Sequence, residues 1–381
     1  MIVGIAKESF PGERRVALVP GLVPTLTKAG LEVVVEPGAG SAAGFTDEQY
    51  IEKGARIAAD RAEAFRADCL LAVRTLGANP EAGLADLELL HAGQTVIAMA
   101  DPLGRPAEAQ KLAERGVTLF ALELIPRITR AQSMDVLSSQ ATVAGYRAVL
   151  LAALALPKMF PMMTTAAGTL TPAKVFIVGA GVAGLQAIAS SRRLGAVTSA
   201  YDVRPVVKEQ VQSLGARFVE FDLAGGDTQT TGGYAKAMDE EFYRRQREMM
   251  KRVVAENDVV ITTAAVPGRQ APTLVTAEMV AAMAPGSVVV DAAAERGGNC
   301  ELTKPGETIT VGGVTILGPT NLPSDVPNHA SQMFAKNVVT FLLHLVKDGQ
   351  FAMNLDDEIT RETLVTRDGK VVHPRVGAQP A

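Results

Sequence analysis

The stretch Lys174-Val-Phe-Ile-Val-Gly179-Ala-Gly181-Val-Ala-Gly184 constrains this chain more than any other feature. Its apolar residues read as a buried strand, Gly179 as a tight turn, and Gly184 as the contact that lets the next helix lie close on that strand. Gly181 removes the Cβ that would bar a pyrophosphate from the backbone, and the amide-rich start of the helix points at the same spot. A second strand, predicted at Val197–Tyr201, then delivers Asp202 about 20 residues past the glycines, where a carboxylate accepts ribose hydroxyls. The segment is thus read as a Rossmann βαβ unit for a nicotinamide dinucleotide. Asp202 repels a 2′-phosphate and favours NAD over NADP, although Arg204 is the residue type that NADP sites use. A glycine turn binding nothing, or an FAD or other adenosyl site, is the alternative. Strand, helix and carboxylate in register weigh against it.

Short β-rich runs alternate with helical patterns along the whole chain, the signature of parallel sheets with crossover helices. A first series is predicted at Ile2–Ile5, Glu32–Glu36, Cys69–Val73, Thr95–Met99 and Thr118–Leu122. A long helix from about Asp135 to Leu156 leads to a proline-marked crossing. A second series follows at Val175–Val178, Val197–Tyr201, Phe218–Glu220, Val259–Thr262, Val288–Val290 and Thr315–Leu317. Asn328–Leu345 reads as another long helix, returning the chain to its first lobe. With 381 residues, too many for one ordinary core, the expected architecture is α/β. Two Rossmann-like lobes with parallel sheets are expected, with a cleft between them. The first lobe spans 1–137, completed by 328–381, and the NAD(H)-binding lobe spans 138–327. Aromatics are only 4% and tryptophan is absent, so Ala, Val, Leu and Gly must build both cores.

Charge and cysteine usage exclude several classes. A net charge of −4 without a basic stripe argues against nucleic acid. Cys69 and Cys300 lack any CxxC or CxxH spacing, so neither a disulfide framework nor a metal site is expected. The N-terminus lacks the pattern of a signal peptide. The most apolar helical run, Val149–Leu156, falls far short of the roughly 20 residues of a membrane span, so no direct membrane insertion is expected.

Two polar segments stand out. Between Glu123 and Gln140, Arg127, Gln132, Asp135 and Ser138 crowd the carboxyl edge of a sheet, where open α/β folds place ligands. Arginine forks onto phosphate or amide oxygens, glutamine holds a carboxamide, and Asp135 and Ser138 bind hydroxyls. Ser133 or Asp135 could equally cap the following helix, and the residues alone leave the two readings even. Between Asp222 and Asp239 lies a glycine-rich stretch, longer than an ordinary connection, whose one aromatic residue is Tyr234. It suits a lid over a bound cofactor, or a tolerated surface insertion. The charged helix Glu240–Glu256 reads as a solvated crossover.

The run R-I-T-R-A-Q-S-M-D-V-L-S-S-Q closely resembles the NAD(H)-binding component of the proton-translocating nicotinamide nucleotide transhydrogenases. The likeness continues through G-E-R-R-V-A-L, G-Y-R-A-V-L, G-V-A-G-L-Q-A-I-A, D-V-R, T-G-G-Y-A-K, P-G-S-V-V-V-D and G-G-N-C. It implies that Arg127, Gln132 and Asp135, with Ser138 beside them, position the nicotinamide, and that Tyr234 closes on it. The implied cofactor set adds Gly179, Gly181, Val182, Ala183, Gly184, Asp202, Val203, Arg204 and Ala264. It also implies a homodimer, NADP(H) bound by a partner subunit, and a membrane-spanning subunit that couples the reaction to proton movement. This chain would be a separate cytoplasmic subunit, peripheral at the cytoplasmic face of the inner membrane through those partners.

Alanine dehydrogenases share the two-lobe plan, including an arginine matching Arg15. Such an enzyme needs an acid–base group to move a proton and polarise a carbonyl. Those enzymes align a lysine and a histidine where this chain has Arg74-Thr75-Leu76 and Ala98-Met99-Ala100-Asp101. None of His91, His329, His344 and His373 reads as an obvious replacement; each is expected at the surface or satisfied, with an approach of His329 to the cleft, from the start of the returning helix, as the lesser alternative. Transfer between two nicotinamides needs no such group, only positioning and closure. The transhydrogenase reading is therefore preferred over an alanine dehydrogenase-like enzyme and over a non-enzymatic NAD(H) sensor. Around Arg74 the chain departs from that family, which often carries a lysine and a glutamine there.

Overall fold

The computed structural model describes residues 1–220, 240–265 and 268–377, with the side chains of 240–243 left aside. The chain divides into two compact units, Met1–Gln140 with Pro323–Ala381, and Ala141–Leu322.

The first unit is built on an eight-stranded sheet. Its order is Lys370–Val371, Leu364–Arg367, Thr118–Ala121, Thr95–Met99, Cys69–Arg74, Ile2–Ile5, Glu32–Val35 and Arg56–Ile57. The strands from the N-terminal segment pair in parallel, and Leu364–Arg367 joins antiparallel against Thr118–Ala121. Cys69, Leu71 and Val73 are fully buried, as are the side chains between them to within 5%, so the strand shows no polar face. That is the pattern of a parallel sheet covered on both sides. The helix Pro327–Leu345 starts on a proline at its first position, whose missing N–H costs nothing there. It buries Ala330, Phe334, Val338, Phe341, Leu342 and Leu345, a stripe at helical spacing. Phe341 meets Phe120 edge to face at 5.7 Å, fastening the helix to the sheet.

The second unit carries a seven-stranded sheet. Its order is Arg217–Phe218, Val197–Tyr201, Lys174–Val178, Val259–Thr262, Val288–Asp291, Val314–Leu317 and Thr308–Val311. All pairs are parallel except the last. From Lys174–Val178 the chain moves outward on one side, then returns to lay Val259–Thr262 on the other. The order therefore reverses at that strand, and open α/β sheets bind ligands at the carboxyl ends of such a switch point. The α/β plan with parallel-rich sheets is as expected from sequence. Arg56–Ile57, the antiparallel Thr308–Val311 and an exposed hairpin, Met163–Thr165 with Gly168–Leu170, were not foreseen.

Candidate functional site

At the switch point of the second sheet, Gly179 leaves its strand with φ +97°, a conformation that side chains disfavour. Its N–H donates to Tyr201 O at 2.8 Å, while Thr263 N donates to Val178 O at 2.8 Å. The turn is thus tied to the strands on both sides. A Cβ on Gly184 would lie 1.8 Å from Gly179 O, so only glycine lets the helix Val182–Arg193 start this close to the strand. That helix is approached from a second direction as well. A Cβ on Gly145, in the helix Val136–Ala155, would lie 2.1 Å from Ala183 O.

Gly181 behaves differently. It is the N-cap at φ −76° and ψ −167°, and has no side chain to cap the helix. Among the described residues, a Cβ there would find nothing nearer than Arg204 Nη2 at 3.9 Å. The amides of the first helical turn have no partner within the helix and face this cradle. A pyrophosphate, anionic and rich in acceptors, fits a surface of open amides over a residue without a side chain.

Asp202 ends the second strand, 9% exposed. Its Oδ2 accepts from Ala180 N at 2.7 Å, which ties the carboxylate to the glycine turn. Arg204 donates to it from its backbone N and from Nε, both at 2.9 Å, and from Nη2 at 2.8 Å. On the other side of the turn, Ala264 is held by Asn299, which is fully buried. Ala264 N donates to Asn299 Oδ1 at 3.0 Å, and Asn299 Nδ2 donates back to Ala264 O at 2.8 Å. Asn299 N in turn donates at 2.7 Å to the buried Asp291, which also receives Cys300 N and the hydroxyls of Thr262 and Thr303. Sequence reasoning singled out Ala264 but missed Asn299 and Asp291. The G-G-N-C run was the available signal, because a buried asparagine must find partners for both ends of its amide.

The equivalent switch point in the first unit is filled by its own side chains. There Glu8 accepts from Val73 N at 2.6 Å and Arg74 N at 3.1 Å. Arg15, 3% exposed, donates to both oxygens of Glu13 and, at 2.9 Å, to Gln140 Oε1. Arg74 donates to the same Glu13 at 3.2 Å and lies over the Phe10 ring at 4.3 Å. Burial pushes the Glu8 carboxyl up to about 8, with the charge of Glu13 adding to it. Burial also works against ionised Glu13, yet the hydrogen bonds and charge of Arg15, with that of Arg74, outweigh it and hold the group down at about 2. These contacts crowd the end of the first sheet with charged side chains, whereas the turn of the second sheet carries Gly181, without a side chain, at its helix start.

In the segment singled out before the long helix, residues Thr129–Met134 form a 3-10 turn and Val136–Ala155 the helix. Asp135 accepts from Ser138 N at 2.9 Å and from Ser138 Oγ at 2.6 Å, so it caps the helix. Arg127 and Gln132 are exposed on the same segment. The neighbouring Arg130 pairs with Asp357 at 2.6 Å. Tyr234 lies outside the described residues. His373 is 2% exposed, and burial lowers its pKa, against a backbone hydrogen bond with Glu362 that raises it. Among the described residues, no group of three or more His, Cys, Asp or Glu side chains could hold a metal, and no helix is long and apolar enough to cross a membrane.

Residues 4–144 match the family model described as alanine dehydrogenase/PNT, N-terminal domain, and residues 148–374 match the C-terminal domain model of the same family. The first of the polypeptides that make up the NAD(P) transhydrogenase alpha subunit of Rhodospirillum rubrum is 47% identical over 385 residues, covering 100% of both chains. A solved structure of transhydrogenase from Sinorhizobium meliloti superposes with a TM-score of 0.85 at 46% identity, covering 98% of this chain and 99% of that one. The alanine dehydrogenase of Bacillus subtilis is a more distant relative, 29% identical over 384 residues, or 99% of this chain and 94% of its own.

Proposed function

We propose, from the premise that the chain belongs to the alanine dehydrogenase/PNT family, that it is the NAD(H)-binding subunit of a proton-translocating NAD(P) transhydrogenase. The observation that carries the reading is the cradle at Gly181, where open amides and a missing side chain meet beside the Asp202 carboxylate. NAD(H), when bound, supplies a nicotinamide that gives or accepts a hydride, with NADP(H) on a partner subunit as the other party.

The chain's own role is to bind and orient. Gly181, Val182, Ala183 and Gly184 take the pyrophosphate through backbone amides, on the turn that Gly179 makes. Asp202, Val203 and Arg204 border the adenosine ribose. Ala264, braced by Asn299, flanks the same turn. Arg127, Gln132, Asp135 and Ser138 hold the nicotinamide half, the arginine and glutamine through its carboxamide and phosphate oxygens. None of these groups needs to change protonation state, which suits a transfer in which no proton moves at the ring carbons. An amino-acid dehydrogenase would require an acid–base group. Arg74 cannot serve, since a guanidinium remains charged and this one is engaged with Glu13. Membrane attachment through partner subunits belongs to the same proposal. So does a homodimer, to which the exposed Leu154, Met162 and Leu170 offer apolar surface.

The test mixes the purified chain with the NADP-binding domain of a transhydrogenase. NADH, an oxidised NAD analogue of distinct absorbance and catalytic NADP are supplied, and analogue reduction is followed. Reduction that requires both proteins and falls in Arg127→Ala supports the proposal. NADH binding without reduction, accompanied by turnover of alanine or of pyruvate with ammonia, would replace it with the dehydrogenase reading.

A further inference from the structure

Asp202 already receives four protein donors. Both oxygens carry two donors, and three of the four come from Arg204. The two side chains are 5% and 12% exposed, so the pair sits largely out of water. The guanidinium also borders the cradle, since its Nη2 is the atom nearest to a Cβ built on Gly181. An arginine is thus stationed at the ribose end of the site with its fork closed on a neighbouring anion.

We propose that Asp202 and Arg204 form one specificity device, in which Asp202 excludes a 2′-phosphate by its own charge and also by keeping a phosphate-competent guanidinium occupied. The inference rests on the reading that this unit binds NAD(H). A fork that grips a carboxylate bidentately suits a phosphate equally well. A neutral residue at 202 no longer holds the guanidinium by charge, and a 2′-phosphate would arrive within its reach, because the ribose hydroxyls address that end of the second strand. Removing the Asp202 charge therefore inverts the preference rather than merely relaxing it. A simple salt bridge would behave differently, with NADH affinity lost and nothing gained.

The experiment titrates NADH and NADPH into the full chain by nicotinamide fluorescence, with melting curves for each protein. The variants are Asp202→Ala, Asp202→Asn, Arg204→Ala and the double variant Asp202→Asn with Arg204→Ala. Asp202→Asn retains an oxygen for Ala180 N, so it keeps the turn even where the alanine variant loosens it. The expected result is NADH affinity down at least tenfold and NADPH affinity up at least tenfold in Asp202→Asn, with the NADPH gain erased in the double variant. A folded Asp202→Asn chain without that gain, or a gain that survives loss of Arg204, overturns the device while parental NADH binding leaves the NAD(H) reading standing. A parent chain that binds no NADH overturns both.

Discussion

Gly181→Ala separates binding from folding more cleanly than any other change at the site. Its backbone, at φ −76° and ψ −167°, is one that alanine adopts, and among the described residues its Cβ would meet nothing closer than 3.9 Å. Alanine at a compatible glycine position stabilises by about 0.4–1 kcal/mol, because the unfolded chain loses freedom. Alanine is a poorer N-cap than glycine, which offsets that gain, so the melting temperature should stay near the parent's. A methyl in the cradle, however, forces a pyrophosphate back by about 1 Å, enough to break one charge-assisted amide contact of about 2–3 kcal/mol. NADH affinity should fall roughly 30–150-fold. Gly184→Ala gives the opposite pattern. Its Cβ would lie 1.8 Å from Gly179 O, so the helix must move, at an overpacking cost of about 1–3 kcal/mol or more. Its melting temperature should drop by several degrees. Fluorescence titration and calorimetry on both variants read the two quantities side by side. If Gly181→Ala binds NADH like the parent, the pyrophosphate does not lie on this turn; if it melts well below the parent, the open cradle is wrong.

Three further outcomes follow from the first unit. Asp135→Ala should cost about 1 kcal/mol through loss of the helix cap, whereas Asp135→Asn keeps a competent cap. The asparagine variant should therefore retain its melting temperature yet lose transfer activity, and unchanged activity would reduce Asp135 to a cap. Glu8, raised to about 8 by burial, keeps its proton in the folded state where the unfolded chain has released it. Its stabilisation is complete below the unfolded pKa and is lost as pH rises from about 4.5 to 8. Glu8→Gln should flatten melting temperature against pH over that window, and parallel parental and variant profiles would refute the assignment. Glu13→Gln leaves Arg15 and Arg74 facing a neutral partner and should cost about 3–5 kcal/mol in denaturant titrations at pH 7, with a loss below 1 kcal/mol counting against the buried network.

What could be read in advance was whatever is imprinted on residue type along one stretch of chain. Ile2–Ile5 and Thr95–Met99 were placed to the residue, because a buried parallel strand is an uninterrupted apolar run. Arg56–Ile57 has only two residues, and all three residues of Met163–Thr165 are exposed, so neither leaves a pattern to find. The glycines and Asp202 were legible because backbone clearance demands particular residues. The clasp between Asp202 and Arg204 was half legible: both residues were weighed, but their contact is a matter of side-chain geometry. The G-G-N-C run offered a signal for Asn299, but its partner Ala264 lies 35 positions away and is set by tertiary structure. At Asp135 the residue type suits a cap and a ligand equally, and the hydrogen bonds to Ser138 show the cap.

The pairing of Leu364–Arg367 with Thr118–Ala121 also bears on how the molecule is made. The second unit, Ala141–Leu322, is continuous, and the first is interrupted by it. At about 5–20 residues per second, a ribosome needs roughly 10–40 s to make the intervening segment. Throughout that time Thr118–Ala121 presents an unpaired, apolar edge, the kind of surface that recruits strands from other chains. Of the two units, the one begun first is therefore the last to be finished. Nascent chains should be most exposed to aggregation, and to chaperones that prevent it, in the interval before Leu364 leaves the ribosome.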